Sequence, residues 1–276
     1  MERPRSLAEA LSLLAGHGDA KLLAGGQSLV PAMNFRLATP TLVIDLDRVE
    51  ELRGIRRDGD WLRIGAMTRQ RELLASPLVA QHAPLLRQAI PYVGHVQTRA
   101  RGTLGGSLAH ADPSAELPLV MVALDALFSV QRVGGMRSIP ARQFFTGAMT
   151  TELAPDEILT EIAVPIAPAG SRCSFRELAR RHGDFAIVAV AVQFDRLALS
   201  IAIGSLESRP RYCRDLALAI AAQNFSRATL PALISAELSQ SEPLSDLAAS
   251  GDYRRALAAV LLEDCLEDCL GEVLRS

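Results

Sequence analysis

Apolar positions recur at helical spacing from the start of the chain: Leu7, Ala10, Leu11 and Leu14 fall on one side of residues 6–14. Ser6 and Glu9 form a capping-box pattern at the start of this helix, which ends at Gly16 or Gly18. Residues 21–24 are a short apolar run, Gly25-Gly26 follow, and Ser28 stands where it caps a second helix that tolerates Pro31 in its first turn. The order is strand, glycine pair, helix. Residues 41–46 (T-L-V-I-D-L) and 61–66 (W-L-R-I-G-A) read as strands. Residues 68–74 and 84–92 read as helices, the second distorted or ended by Pro91.

The pattern then lapses over residues 97–118, Q-T-R-A-R-G-T-L-G-G-S-L-A-H-A-D-P-S-A-E-L-P. Glycines, small hydroxyl residues and the lack of a bulky aromatic predict a loop whose backbone N–H groups an anionic ligand approaches closely. The stretch around Gly25-Gly26 has the same grammar, and two such loops suit one diphosphate held between them.

Periodicity resumes with a helix over 116–127, then a hairpin of residues 128–132 and 137–139 about Gly134-Gly135. Phe144-Phe145 form an apolar knuckle, and a strand over 159–164 stops at Pro165. Ala167-Pro168-Ala169-Gly170 reads as a linker, so the domain boundary falls there. Beyond it come three strands (174–179, 185–195, 197–204) and two helices (214–223, 253–270). In the last helix Leu257, Val260, Leu261, Cys265 and Leu266 make the expected apolar face, with Glu263, Asp264, Glu267 and Asp268 mostly solvated.

With 276 residues, 49% of them apolar, the chain is long enough for two or three subdomains. Its 29 basic and 31 acidic side chains nearly balance, which argues against a nucleic-acid or anionic-membrane partner. Lys21 is the only lysine, so there is neither a P-loop lysine nor a Schiff-base candidate. Cys173, Cys213, Cys265 and Cys269 lack iron–sulfur or zinc spacing and read as reduced thiols. No signal core or membrane-length apolar run occurs, and a soluble cytoplasmic protein is expected.

Ser107, His110 and Asp112 lie too close in sequence to converge as a hydrolytic triad, and no nucleophile elbow accompanies them. The histidines at 17, 82, 95, 110 and 182 show no metal-ligand spacing. No G-x-G-x-x-G is present, which argues against a Rossmann fold. The first glycine pair alone is equally compatible with an ordinary strand-to-helix turn. Taken together, the two loops point to a nucleotide or dinucleotide site.

Three stretches carry a resemblance: L-A-G-G-Q-S at 23–28, residues 99–118 including R-G-T-L-G-G-S-L-A-H-A-D-P-S-A-E-L-P, and R-H-G-D-F-A at 181–186. With G-G-M-R-S-I-P-A-R-Q-F-F and D-E-I-L-T-E-I-A-V-P, they resemble the FAD-binding medium subunit of the molybdenum hydroxylases, the carbon monoxide dehydrogenase and xanthine dehydrogenase family, over nearly the whole chain. The resemblance implies an α+β fold. A two-subdomain FAD-binding domain of the vanillyl-alcohol oxidase (PCMH) type, residues 1–168 with subdomains of about 1–55 and 56–168, precedes a small α+β domain over 171–276.

It further implies that Ala24, Gly25, Gly26, Gln27 and Ser28, with Thr103, Leu104, Gly105, Gly106 and Ser107, bind the FAD pyrophosphate through backbone amides and hydroxyls. Asp112 and Glu116 match acidic positions beside the cofactor, Glu116 at a ribose hydroxyl. Leu159, Arg176 and Phe185 fall where relatives approach the flavin, Arg176 standing where some carry lysine. No residue of this chain is required as an acid or base. The implied partners are a small subunit with two 2Fe–2S clusters and a large subunit with the molybdenum cofactor, in a symmetric assembly with two copies of each. Electrons then pass from molybdenum through the clusters to FAD and on to quinone, NAD or oxygen. A freestanding flavin oxidase and a non-catalytic nucleotide-binding scaffold are the competing expectations.

Overall fold

The computed structural model describes residues 1–195 and 198–274. Helix α1 (Leu7–Gly16) starts where Ser6 Oγ accepts the Glu9 N–H at 3.2 Å, while the Glu9 carboxylate accepts the Arg5 N–H at 2.8 Å. Its buried Ala10, Leu11 and Leu14 cover a parallel pair of strands, β1 (Ala20–Leu23) and β2 (Leu42–Asp45), joined through the short helix α2 (Leu29–Asn34). This is a single βαβ unit.

Strands β3 (Ile55–Asp58) and β4 (Trp61–Gly65) form a hairpin, after which helices α3 (Gln70–Ala75), α4 (Pro77–His82) and α5 (Pro84–Ala89) follow closely. Pro91 acts as expected, confining residues 90–92 to a single 3-10 turn. The glycine-rich stretch is not the open loop that its composition suggests. It folds as α6 (Val96–Arg101) and α7 (Leu104–His110), separated by Gly102-Thr103, and leads through a left-handed Ala111 into α8 (Glu116–Ala123). The glycines serve contact here rather than looseness: a Cβ on Gly105 would stand 2.5 Å from the Cβ of Ala66.

Strands β5 (Leu127–Arg132) and β6 (Gly135–Pro140) form the expected hairpin. The knuckle of α9 (Ala141–Phe144), β7 (Phe145–Gly147) and β8 (Thr150–Thr151) packs Phe144 and Phe145 edge-on against Phe128. Strand β9 (Ile158–Pro165) then enters the middle of an antiparallel sheet ordered β3-β4-β9-β5-β6.

Past the linker, β10 (Arg172–Ala179), β11 (Ala186–Asp195), β12 (Ala198–Gly204) and β13 (Arg211–Tyr212) form a second antiparallel sheet. Leu197, where the sequence pattern begins the third of these strands, lies outside the described residues. Helices α10 (Arg214–Ala222), α11 (Leu230–Ser239) and α12 (Gly251–Leu270) cover one face. Strand β11 sorts its side chains by size. Val188, Val190 and Val192 join the core under α10–α12, whereas Ala189 and Ala191 join the core built on α8. The alanines leave room for α8, all eight of whose residues are buried. In α12 the buried set includes Ala258, Leu262 and Cys269, and Val260 is 55% exposed rather than part of the apolar face. No described helix is long and apolar enough to cross a membrane.

Candidate flavin site

The two glycine turns meet. A Cβ placed on Gly25 would lie 2.5 Å from the Arg101 carbonyl oxygen and 2.7 Å from the Gly102 α-carbon, and one on Gly106 would lie 3.3 Å from the Ala24 Cβ. Only hydrogen side chains allow the backbones to approach this far. The joined turns line a cleft of about 960 Å³ that extends to Gly183, Asp184, Phe185 and Ile187, where β10 turns into β11 of the second sheet.

Hydrogen bonding divides the turns. Among the described residues, the backbone N–H groups of Gly25, Gly26, Gln27 and Ser28 meet no acceptor; Gly26 is left-handed (φ 75°), and Gln27 Nε2 donates to the Gly25 carbonyl at 3.2 Å. Ser28 precedes α2 with its hydroxyl uncommitted to a cap. In the second turn, by contrast, the N–H groups of residues 104–107 are already engaged. Leu104 donates to Thr68 O (3.0 Å), Gly105 to Ala66 O (2.8 Å), Gly106 to Thr103 Oγ1 (3.0 Å) and Ser107 to Thr103 O (3.2 Å). Among the described residues, four consecutive N–H groups are therefore open in the first turn, whereas in the second only that of Thr103 is open beside the Ser107 hydroxyl. Leu104 itself is buried in the core and absent from the cleft wall.

Asp112, Glu116 and Leu159 line the cleft, as do Ala24, Gly25, Gly26, Gln27, Ser28, Thr103, Gly105, Gly106 and Ser107. Asp112 accepts the Ser114 N–H at 2.8 Å, shaping the turn into α8. Glu116, the first residue of α8, is 6% exposed. Burial pushes its carboxyl up to about 7, with Asp112 adding to the rise and its own backbone N–H and Arg99 opposing it. Phe185 is 68% exposed at the cleft wall, and the adjoining left-handed Gly183 lies against the His95 ring.

Arg176 is not at the cleft. Alternation along β10 turns it towards α12, where its guanidinium makes two bonds to Asp268 (2.9 and 3.1 Å) and one to Asp264 (3.3 Å). Asp264 and Asp268 are thus engaged rather than merely solvated. The neighbouring Glu177 faces the other way, and burial together with the Glu116 charge pushes it up to about 8. Two further residues escape sequence reasoning. Arg99 is buried and donates to the carbonyls of Pro91 (3.1 Å), Val93 (3.1 Å) and Gly94 (2.6 Å), fixing a turn whose Val93 and Gly94 line the cleft. Gln70 lines it beside Gly102. Nothing in the local pattern marks either one, since each is a polar residue in a short helix.

A two-part α+β chain with paired glycine turns at the junction of its sheets is the class of protein that holds a dinucleotide. Residues 1–167 match the model of the FAD binding domain in molybdopterin dehydrogenase, and residues 173–269 match that of the CO dehydrogenase flavoprotein C-terminal domain. The chain belongs to the family of FAD-binding medium subunits of the molybdenum hydroxylases, oxidoreductases built from several subunits. It is 46% identical over 183 residues to the 6-hydroxypseudooxynicotine dehydrogenase complex subunit alpha of Paenarthrobacter nicotinovorans, a match covering 66% of this chain and 62% of that one. The nicotine 6-hydroxylase medium subunit of the same organism is 38% identical over 94% of this chain and 93% of its own length. Among solved structures, carbon monoxide dehydrogenase from Hydrogenophaga pseudoflava superposes with a TM-score of 0.94 at 36% identity, covering 98% of this chain and 96% of that one.

Proposed function

We propose that this chain binds FAD in the cleft and serves as the electron-transfer subunit of a molybdenum-containing hydroxylase or dehydrogenase. Electrons arrive from two 2Fe–2S clusters in a small partner subunit and leave to an external acceptor, while the molybdenum cofactor resides in a large partner subunit. The assembly is a dimer of heterotrimers in the cytoplasm. Residues 1–168 bind the cofactor, and residues 171–276 close the flavin end of the cleft.

The observation that carries this reading is the set of open N–H groups on Gly25, Gly26, Gln27 and Ser28, beside a cleft of about 960 Å³. Such donors suit a pyrophosphate, and the glycines let the two turns meet beside it, where a Cβ on Gly25 would strike the backbone of Arg101 and Gly102. Bound FAD supplies the exchange of two electrons for single ones. The chain's own residues orient it. Thr103 caps α7 so that Ser107 faces the anion, Glu116 and Asp112 stand at the head of α8, and Arg99 braces the wall at Val93 and Gly94. No proton donor of this chain is needed, because the protein contributes binding, orientation and electrostatics.

The test is flavin uptake by the purified chain, followed by affinity purification at native expression with iron and molybdenum analysis. Stoichiometric flavin absorbance with both metals is the expected result. A chain that stays colourless with FAD overturns the reading, and flavin without either metal or partners returns the freestanding oxidase.

A further inference from the structure

Gln70 is 4% exposed, lines the cleft and makes no side-chain hydrogen bond to any described residue, with Oε1 among the buried unpartnered oxygens. The rest of the residue is firmly placed. Its backbone N–H donates to Gly102 O at 2.9 Å, and its amide rests on the bare α-carbon of that glycine, where a Cβ would stand 2.7 Å from Oε1 and 2.9 Å from Cδ. Burying a primary amide without a partner is costly, and native interiors rarely keep one unless something else satisfies it.

The position narrows what that is. Gly102 is the residue at which the second turn meets Gly25, so Gln70 stands next to the proposed pyrophosphate seat. Helix α3 packs on the 90–92 turn and on α6, and these carry Val93, Gly94 and Thr98 along the wall that meets Gly183. Strand β1 leads into the first glycine turn and lines the cleft through Ala20, Lys21 and Leu22. A phosphate only accepts hydrogen bonds, whereas the ribityl hydroxyls of a flavin both donate and accept, as an amide does.

We propose that the Gln70 amide hydrogen-bonds the ribityl chain of FAD, between pyrophosphate and ring, and so favours a flavin over a plain nucleoside diphosphate. This rests on the FAD reading above. It assigns Gln70 to binding and orientation, not to chemistry.

The experiment is titration of the full apo chain and its Gln70→Leu variant with FAD and, separately, with ADP, which keeps the adenosine and diphosphate but lacks the ribityl chain. The variant is expected to bind FAD roughly tenfold more weakly, the effect of one lost hydrogen bond, and ADP within about twofold of the unsubstituted chain. Retained ADP binding also reports an intact site. FAD affinity left unchanged, or weakened no more than that for ADP in a variant that still binds ADP, overturns the proposal. If Gln70→Leu loses ADP, the unbranched Gln70→Met variant is measured, and loss of ADP there too overturns it by showing that the amide only holds the turn. An unsubstituted chain that takes ADP but not FAD defeats the FAD reading itself, a result distinct from any that the variants give.

Discussion

Gly25 and Gly102 come together so closely that a methyl group on the first would stand 2.7 Å from the α-carbon of the second. The contact joins segments far apart in sequence and makes one concave wall from two turns.

Gly25→Ala should therefore force the turns apart. Overpacking of this kind costs about 1–3 kcal/mol, so the variant should melt at lower temperature and lose at least about tenfold in FAD affinity. Gly16→Ala is the control, because a Cβ there meets nothing within 4 Å. Calorimetric melting and flavin titration of both variants check this.

Glu116 makes stability depend on pH. Its carboxyl titrates near 7 in the folded chain, against 4.5 for the ordinary group, so between those values the folded state holds more proton than the unfolded one. Its contribution is most favourable below 4.5, declines as pH rises to about 7 and is then constant, on the order of 3 kcal/mol lower. Glu116→Gln should flatten that part of the profile. Urea unfolding of both proteins at pH 5 and pH 8 measures the difference, with Glu177, Asp112 and Arg99 unchanged.

Arg176→Ala should spare the flavin. The ion pair with Asp268 and Asp264 is partly exposed, so its loss should cost up to about 1 kcal/mol, less in high salt, and leave FAD affinity within about twofold. Flavin titration with urea unfolding at two salt concentrations separates the outcomes.

The four cysteines should resist alkylation in the native protein. Burial pushes Cys173 up to about 11 and Cys265 up to about 12, and it pushes Cys213 and Cys269 up further, so little thiolate forms at neutral pH. Mass spectrometry after iodoacetamide at pH 7.5 should find little label until urea is added, when all four react.

Periodicity was informative wherever one face of an element is buried. Helix α1 with its Ser6 cap, the β5–β6 hairpin and the three long strands after the linker were all legible for that reason. It fails where proline or glycine masks the pattern. Helix α11 begins with Leu230-Pro231, and its Leu230, Ile234 and Leu238 stripe was obscured by a proline that sits harmlessly in the first turn. Helices α6 and α7 read as loop because Gly105 and Gly106 suggest flexibility, although Gly105 lets α7 touch Ala66 and Gly106 lies against Thr103 Oγ1 and the Ala24 Cβ. Arg176 rests on likeness and not on periodicity, and one-residue alternation in β10 carries it to the far face. Within the cleft, the glycine turns, Asp112 and Glu116 were visible as motifs. Gln70 and Arg99 were not, because what distinguishes them is burial by partners distant in sequence.

The small side chains of Ala189 and Ala191 have a practical consequence for anyone dividing this protein. They lie, with α8, in one core that crosses the linker, so a cut at residues 167–170 severs a covalent boundary but not a physical one. An isolated N-terminal fragment would present Leu119 and its neighbours to water and would tend to self-associate. Exchange of the C-terminal part between relatives will thus succeed only when the strand facing α8 keeps residues no larger than alanine.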